Sequence, residues 1–405
     1  MTRISLRRLF FDRFVLNLAL LLGLMQVLVW CWLQVVAGLG APGLAPTLGL
    51  AALLVAGNAL LVPRLRRARR RPDLAGIAAR GYVNLGIATL LLGLAVLTSG
   101  LMLLVVTGLV GALGASAQGA FDFFRAGSLA CVGAVALSIL SGFTYGQARI
   151  QRTRLPVAIP GLAPELEGLR IVQVTDLHIG NHLEGVALGR MVERINAMDA
   201  DVLVLTGDLF DFDPEVLEDG ARRLGALRAR YGVYAVLGNH DTYVGTERVV
   251  EALGRLAPGL RLLRDEIARL PLAAPLYLAG VEDPGRDWSA RSLELAGLDA
   301  VAAARPDDGP TLLLVHRPQA FPQAARLGFP FVISGHTHGG QLALPGTRGQ
   351  LNLASVVTGF SSGLYREGGS VLYVNRGLGV GGPRLRIHCP REIATFELLP
   401  ESATA

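Results

Sequence analysis

The chain has 405 residues, 51% of them hydrophobic, and a net charge of +6 in which all 38 basic residues are arginine. So apolar a composition excludes an ordinary soluble enzyme. The charge is split: residues 1–154 carry 15 Arg against 3 acids (+12) and residues 155–405 carry 23 Arg against 29 acids (−6), which excludes reading the basic excess as a nucleic-acid footprint, while three scattered cysteines (Cys31, Cys131, Cys389) exclude a disulfide framework or thiolate metal site.

In chain order, residues 1–150 contain four uncharged apolar runs at about 15–36, 47–63, 82–108 and 126–147. Each is near the ~20 residues that a helix needs to cross a bilayer, so this region is predicted to be a four-helix transmembrane domain. Arg3, Arg7, Arg8 and Arg13 precede the first run. Arg64, Arg66, Arg67, Arg69, Arg70, Arg71 and Arg80 separate the second from the third, and Arg149, Arg152 and Arg154 follow the fourth. The opposite loops, 38–46 and 109–124, carry no Arg. The positive-inside rule then predicts a multi-pass protein of the inner (cytoplasmic) membrane, with residues 148–405 on the cytoplasmic side. Arg7-Arg8 also resembles a twin-arginine export signal; the three further apolar runs argue against that alternative.

Residues 151–164 read as a Pro-containing linker, and 165–400 as a globular domain in which apolar strands alternate with amphipathic helices. Strand-like runs lie at 169–175, 201–206, 232–237, 276–281, 311–315 and 331–334, and helical spacing at 188–198 and 214–230. The pattern predicts an α/β fold whose ligands gather at the carboxyl ends of the strands. Chemistry-bearing residues stand at those ends: Asp176-Leu177-His178, Gly207-Asp208, Gly238-Asn239-His240-Asp241, His316, and Gly335-His336-Thr337-His338-Gly339-Gly340-Gln341. Five of the seven histidines fall in these segments. Carboxylates, an amide and imidazoles together form a donor set for borderline divalent metals.

In this order the segments resemble the calcineurin-like metallophosphoesterases, and Ser334–Gln341 with Tyr373–Gly379 is similar to a membrane-associated bacterial branch of that superfamily. The resemblance covers about residues 155–400 and implies a four-layer α/β/β/α sandwich behind the transmembrane helices. It implies two divalent ions (Mn, Fe, Zn or Mg), one held by Asp176, His178 and His338, the other by Asn239, His316 and His336, with Asp208 bridging. It further implies in-line attack on phosphorus by a metal-bridging hydroxide, His240 protonating the leaving group and Asp241 orienting His240. Asp211 is expected to be a hydrogen-bond acceptor behind the ligands, His182 a surface residue, and 283–288 a wall of the pocket or an exposed turn. Arg317 and Arg376 are the candidates for phosphate contact, since guanidinium matches phosphate geometry. The expected activity is hydrolysis of a phosphate ester or pyrophosphate of a lipid, a lipid-linked molecule or a nucleotide-lipid, with the bilayer as partner. The alternative is a membrane sensor or scaffold that binds such a ligand without turnover.

Overall fold

The computed structural model describes residues 6–68, 74–114, 116–285, 292–347 and 349–401. Arg3, Arg69, Arg70, Arg71 and positions 286–288 of the 283–288 stretch lie outside the described residues. The chain divides into two units at Ser141/Gly142.

The apolar runs of the first unit form α1 (Leu6–Val36), α2 (Leu44–Ala68), α3 (Leu74–Ala112) and α4 (Ala117–Phe143). Four segments within and just beyond them, Leu16–Val36, Leu44–Val62, Gly76–Ala112 and Ala117–Ala148, are long and apolar enough to cross a membrane. The few polar side chains between these helices pair with one another, as groups surrounded by apolar neighbours must. Trp32 Nε1 donates to Ser128 Oγ (3.1 Å) and Asn58 Nδ2 to Gln26 Oε1 (3.0 Å).

The second unit begins with the last turn of α4 and the short α5 (Tyr145–Ala148). Residues 151–164, expected to be a linker, are not one. Most of them belong to β1 (Ile150–Ile159), which pairs in parallel with the last strand of the chain from Ile150↔Arg391 to Ile159↔Pro400. Pro156 is tolerated because β1 lies at a sheet edge. The remaining strands are β2 (Arg170–Val174), β3 (Val202–Thr206), β4 (Val233–Val236), β5 (Leu260–Leu262), β6 (Glu266–Arg269), β7 (Tyr277–Val281), β8 (Thr311–Val315), β9 (Phe331–Ser334), β10 (Gly363–Glu367), β11 (Ser370–Val374) and β12 (Arg391–Pro400). They form two six-stranded sheets, ordered β1-β12-β2-β3-β4-β5 and β10-β11-β9-β8-β7-β6.

Side chains of a strand point alternately to the two faces of its sheet, and the packing follows that alternation. Ile171, Val202, Val204 and Val236 of one sheet meet Leu312, Leu314, Phe331 and Ile333 of the other between the sheets. The intervening Val172, Leu203, Leu205 and Ala235 pack outward on α6 (Gly185–Asn196), α7 (Leu217–Leu224) and, beyond the short α8 (Asn239–Val244), α9 (Thr246–Leu256). Leu313, Val315 and Val332 pack outward on α10 (Ala296–Ala303) and α11 (Phe321–Arg326). The result is the expected four layers. Strands buried on both faces explain the unbroken apolar runs of the sequence.

Candidate metal centre

Every expected metal ligand follows a buried parallel strand. Asp176 and His178 follow β2, Asp208 follows β3, Asn239 opens α8 just after β4, His316 follows β8, and His336 and His338 follow β9. The first four come from one sheet and the last three from the other, and all seven converge at one end of the sandwich. The turns that aim them are strained. Asp176 (φ 52°), His178 (46°), Asp208 (50°), His336 (73°) and His338 (52°) all have left-handed backbone, a conformation that side chains other than Gly rarely adopt and that collects at functional sites. Gly207 (φ 90°) permits the turn into Asp208; a Cβ there would reach 2.7 Å from His316 Cγ.

The donor atoms form two groups. In one, His178 Nε2 stands 2.9 Å from His338 Nε2, and Asp176 Oδ1 lies 3.5 Å from His338 Nε2 and 4.0 Å from His178 Nε2. In the other, His316 Nε2 stands 3.2 Å from both His336 Nδ1 and Asn239 Oδ1. Asp208 faces both groups, with Oδ2 3.5 Å from His178 Nε2 and Oδ1 3.3 Å from His316 Nε2. Donors sharing a cation at about 2.0–2.2 Å stand about 3–3.5 Å apart, so most of these spacings fit metal-ligand edges.

The surrounding hydrogen bonds set the imidazoles for ligation. Thr206 O accepts from His316 Nδ1 (2.8 Å), and Asp211 Oδ1 accepts from His178 Nδ1 (3.2 Å). Each ring would thereby present Nε2 to an ion bound in its group. Backbone N–H of His336 and the hydroxyl of Thr175 donate to Asp176, and backbone N–H of His240 donates to Asp208.

The electrostatics call for positive charge. Asp176 and Asp208 are buried. Burial raises the Asp176 carboxyl, with Asp208 adding to the rise and His316 opposing it. Burial acts the same way on Asp208, but His316 and His240 overcome it and hold that carboxyl far below its usual range. Burial would depress the His316 imidazole, yet Asp208 above all pushes it up to about 10. Burial, the facing His178 and Arg386 keep His338 neutral. Buried carboxylates of this kind need a cation, whether a proton or a metal.

His240 sits at the rim, partly exposed, with Nδ1 2.9 Å from Asp211 Oδ1. The rings of Phe212 and Tyr243 flank it at 4.7 and 5.2 Å and stack on each other at 5.4 Å.

Residues 169–340 match the family model for calcineurin-like phosphoesterases. The metallophosphoesterase YkuE of Bacillus subtilis is 30% identical over 286 residues, which cover 66% of this chain and 94% of YkuE. The chain belongs to the calcineurin-like phosphoesterase family. An uncharacterized metallophosphoesterase of Campylobacter jejuni is 32% identical over 244 residues, 60% of this chain and 61% of that protein, so the match spans less than two thirds of that relative. A transmembrane protein with metallophosphoesterase domain from Danio rerio is 34% identical over 254 residues, 60% of this chain and 56% of its own length.

For a member of this family, three sequence expectations need correction. Asp241 does not orient His240. As the third residue of α8 it folds back to accept from the N–H groups of Gly238 (2.8 Å), Phe210 (2.9 Å) and Leu209 (3.2 Å), as a helix N-terminus favours. Burial and the Asp208 charge push its carboxyl up to about 6. Arg317 is buried in an ion pair, with Nε 2.6 Å and one terminal nitrogen 3.0 Å from the two oxygens of Asp283. Arg376 donates from Nε (3.0 Å) and from its backbone N–H (3.1 Å) to the buried Glu392. Both guanidiniums pair with buried carboxylates, which cannot stay charged unpaired.

Sequence reasoning missed Arg386 and the Phe212–Tyr243 pair. Arg386 is fully buried behind His338 and donates to the carbonyls of Arg376 (2.8 Å) and Gly379 (2.8 Å). With Arg384 and Arg391 close by in sequence, nothing local marks it as the buried one.

Proposed function

We propose that the protein is a membrane-anchored, dinuclear-metal phosphoesterase acting on a phosphate ester or pyrophosphate of a lipid or lipid-linked molecule. The observation that carries this reading is Asp208, whose two oxygens face two separate donor groups. Asp176, His178 and His338 would hold one ion, Asn239, His316 and His336 the other, and Asp208 both. Bound there, a pair of Mn, Fe, Zn or Mg ions would supply Lewis acidity, activating water and offsetting charge on the phosphoryl oxygens.

The chain's own part is positioning and proton transfer. With Nδ1 committed to Asp211, His240 keeps Nε2 for the substrate and protonates the leaving oxygen from there. Asp211 fixes the ring and stabilises the imidazolium. The Phe212–Tyr243 pair borders the mouth and offers apolar surface to the part of the substrate that does not react.

The four apolar helices support membrane anchoring, as does the family relative from Danio rerio named as a transmembrane protein. The arginine distribution supports a cytoplasmic face on the inner membrane, and the anchor favours a substrate that itself resides in a membrane. Elemental analysis is expected to find two divalent ions per chain. Turnover of a chromogenic phosphodiester is expected to fall about 100-fold in His240→Ala, the usual scale for a lost general acid, with ion content unchanged. Protein that takes up no ions, or a variant as fast as the parent, defeats the proposal. Lipid profiling of a deletion strain is expected to show a phosphorylated lipid accumulating.

A further inference from the structure

Beside the loop that carries Asp176 and His178, whose backbone bonds to Gly379 and Asn181 of its wall, the second unit contains a cavity of about 190 Å³ lined also by Arg190, Arg194, Arg384, Arg391, His182 and Gln147. Among the described residues no carboxylate lines it, and none of the seven candidate metal ligands does. Arg190 and Arg194 project from α6, four residues apart and so on one helix face. Arg384 and Arg391 come from the segment leading into β12 and from its first residue. Arg391 donates to Leu378 O and Gln147 O, contacts that leave its charge unneutralised. Burial, then Arg386, Arg384 and Arg194, press its guanidinium down to about 10.

A second observation points into the same space. Gln147 is buried, and its Nε2 has no hydrogen-bond partner. A buried amide donor without an acceptor is rare, and here it lines a cavity surrounded by arginines. The volume is well below the roughly 300–1,000 Å³ of sites for drug-sized ligands. It suits one compact anion.

We propose that this cavity is a binding site, separate from the metal centre, for a single phosphate group. Guanidiniums match phosphate oxygens in charge and fork geometry, and Gln147 Nε2 supplies a neutral donor beside them. The position of Gln147 favours a source. It lies four residues beyond the end of α4 and one before the end of the candidate span Ala117–Ala148, so a bilayer crossed by that span would bring headgroups near it. Basic pockets at that level commonly take anionic headgroups. Only the source of the phosphate depends on α4 crossing a bilayer; the chemistry of the cavity does not.

The test uses the full chain purified in detergent with a chelator present, so that phosphate cannot lodge on metals. Native mass spectrometry reads retention of phosphatidylglycerol against phosphatidylcholine, and thermal melts read stabilisation by inorganic phosphate. The parent is expected to retain phosphatidylglycerol selectively, and Arg190→Gln/Arg194→Gln at least about tenfold less. Selective retention places a headgroup in the cavity, whereas stabilisation by inorganic phosphate alone, lost in the variant, assigns the site to a soluble phosphate. Gln147→Glu guards against misfolding as an explanation. A carboxylate beside Arg190, Arg194 and Arg391 is expected to raise the melting temperature while abolishing phosphate binding. Equal binding by parent and both variants, or no binding by the parent, overturns the proposal. Because no metal is bound and no turnover is read, failure here leaves the phosphoesterase reading untouched.

Discussion

Asp211 and Asp241 are both buried beside the metal centre, yet their tasks differ. Asp211 accepts from two imidazoles, those of His178 and His240, and Asp241 accepts only from backbone. Asp211→Ala is therefore expected to slow turnover about as much as His240→Ala, roughly 100-fold. Asp241→Ala is expected to act mainly through stability, since each buried N–H left unpaired costs about 1–3 kcal/mol; denaturant melts read the loss. Glu392 gives a pH-dependent case at a distance from the ligands. Burial would raise its carboxyl, but Arg376 and the hydroxyls of Thr153 and Tyr373 overcome this and hold it below its usual range. A depressed folded-state pKa means that the stabilisation is complete above the unfolded value, about 4.3, and is lost as pH falls through the lower folded value. Glu392→Gln, which leaves Arg376 buried without its counter-ion, is expected to cost about 3 kcal/mol at neutral pH. The gap to the parent should narrow below about pH 4, as thermal melts across pH 3–7 would show.

The elements that carry the site were legible because their signals are local. A strand buried on both faces reads as an apolar run, and the glycine that ends it, as at Gly207-Asp208, marks the turn. Gly207→Ala tests this reading of the turn. The left-handed backbone alone costs about 1–2 kcal/mol, and the new methyl would press on the His316 ring. Both a lower melting temperature and a lower ion content are expected, the second by elemental analysis. What was not legible depends on contacts remote in sequence. β1 passed for a linker because its partner lies at the far end of the chain, Ile150 opposite Arg391. Asp211 was legible as an acceptor behind the ligands, but its second partner was not, because only the fold brings His178 and His240 to it together. Arg317 and Arg376 passed for phosphate ligands because their counter-ions, Asp283 and Glu392, are not adjacent in sequence. For Asp241 a local signal did exist, an acidic residue three places after Gly238 at the start of a helix, and it points to capping rather than to catalysis.

At the scale of the whole molecule, the provenance of the ligands matters more than their number. Asp176, His178, Asp208 and Asn239 belong to one sheet and His316, His336 and His338 to the other. Ions held between them would stabilise the folded state by mass action, about 2.7 kcal/mol at 100 times the dissociation constant. Chelation is accordingly expected to lower the melting temperature, and readdition of Mn²⁺ to restore it. An unchanged melt on verified loss of the ions would contradict this coupling.

The bound ions would then act as a clasp. Stripped of them, the two halves of the sandwich stay joined by the apolar layer between them, while the edge that carries Asp208 is left with only its imidazoles to offset its carboxylates. That edge would part more often, and proteases cut what opens. In a cell short of divalent metal, the protein would become scarcer as well as slower, because the feature that equips it for chemistry also fastens it shut.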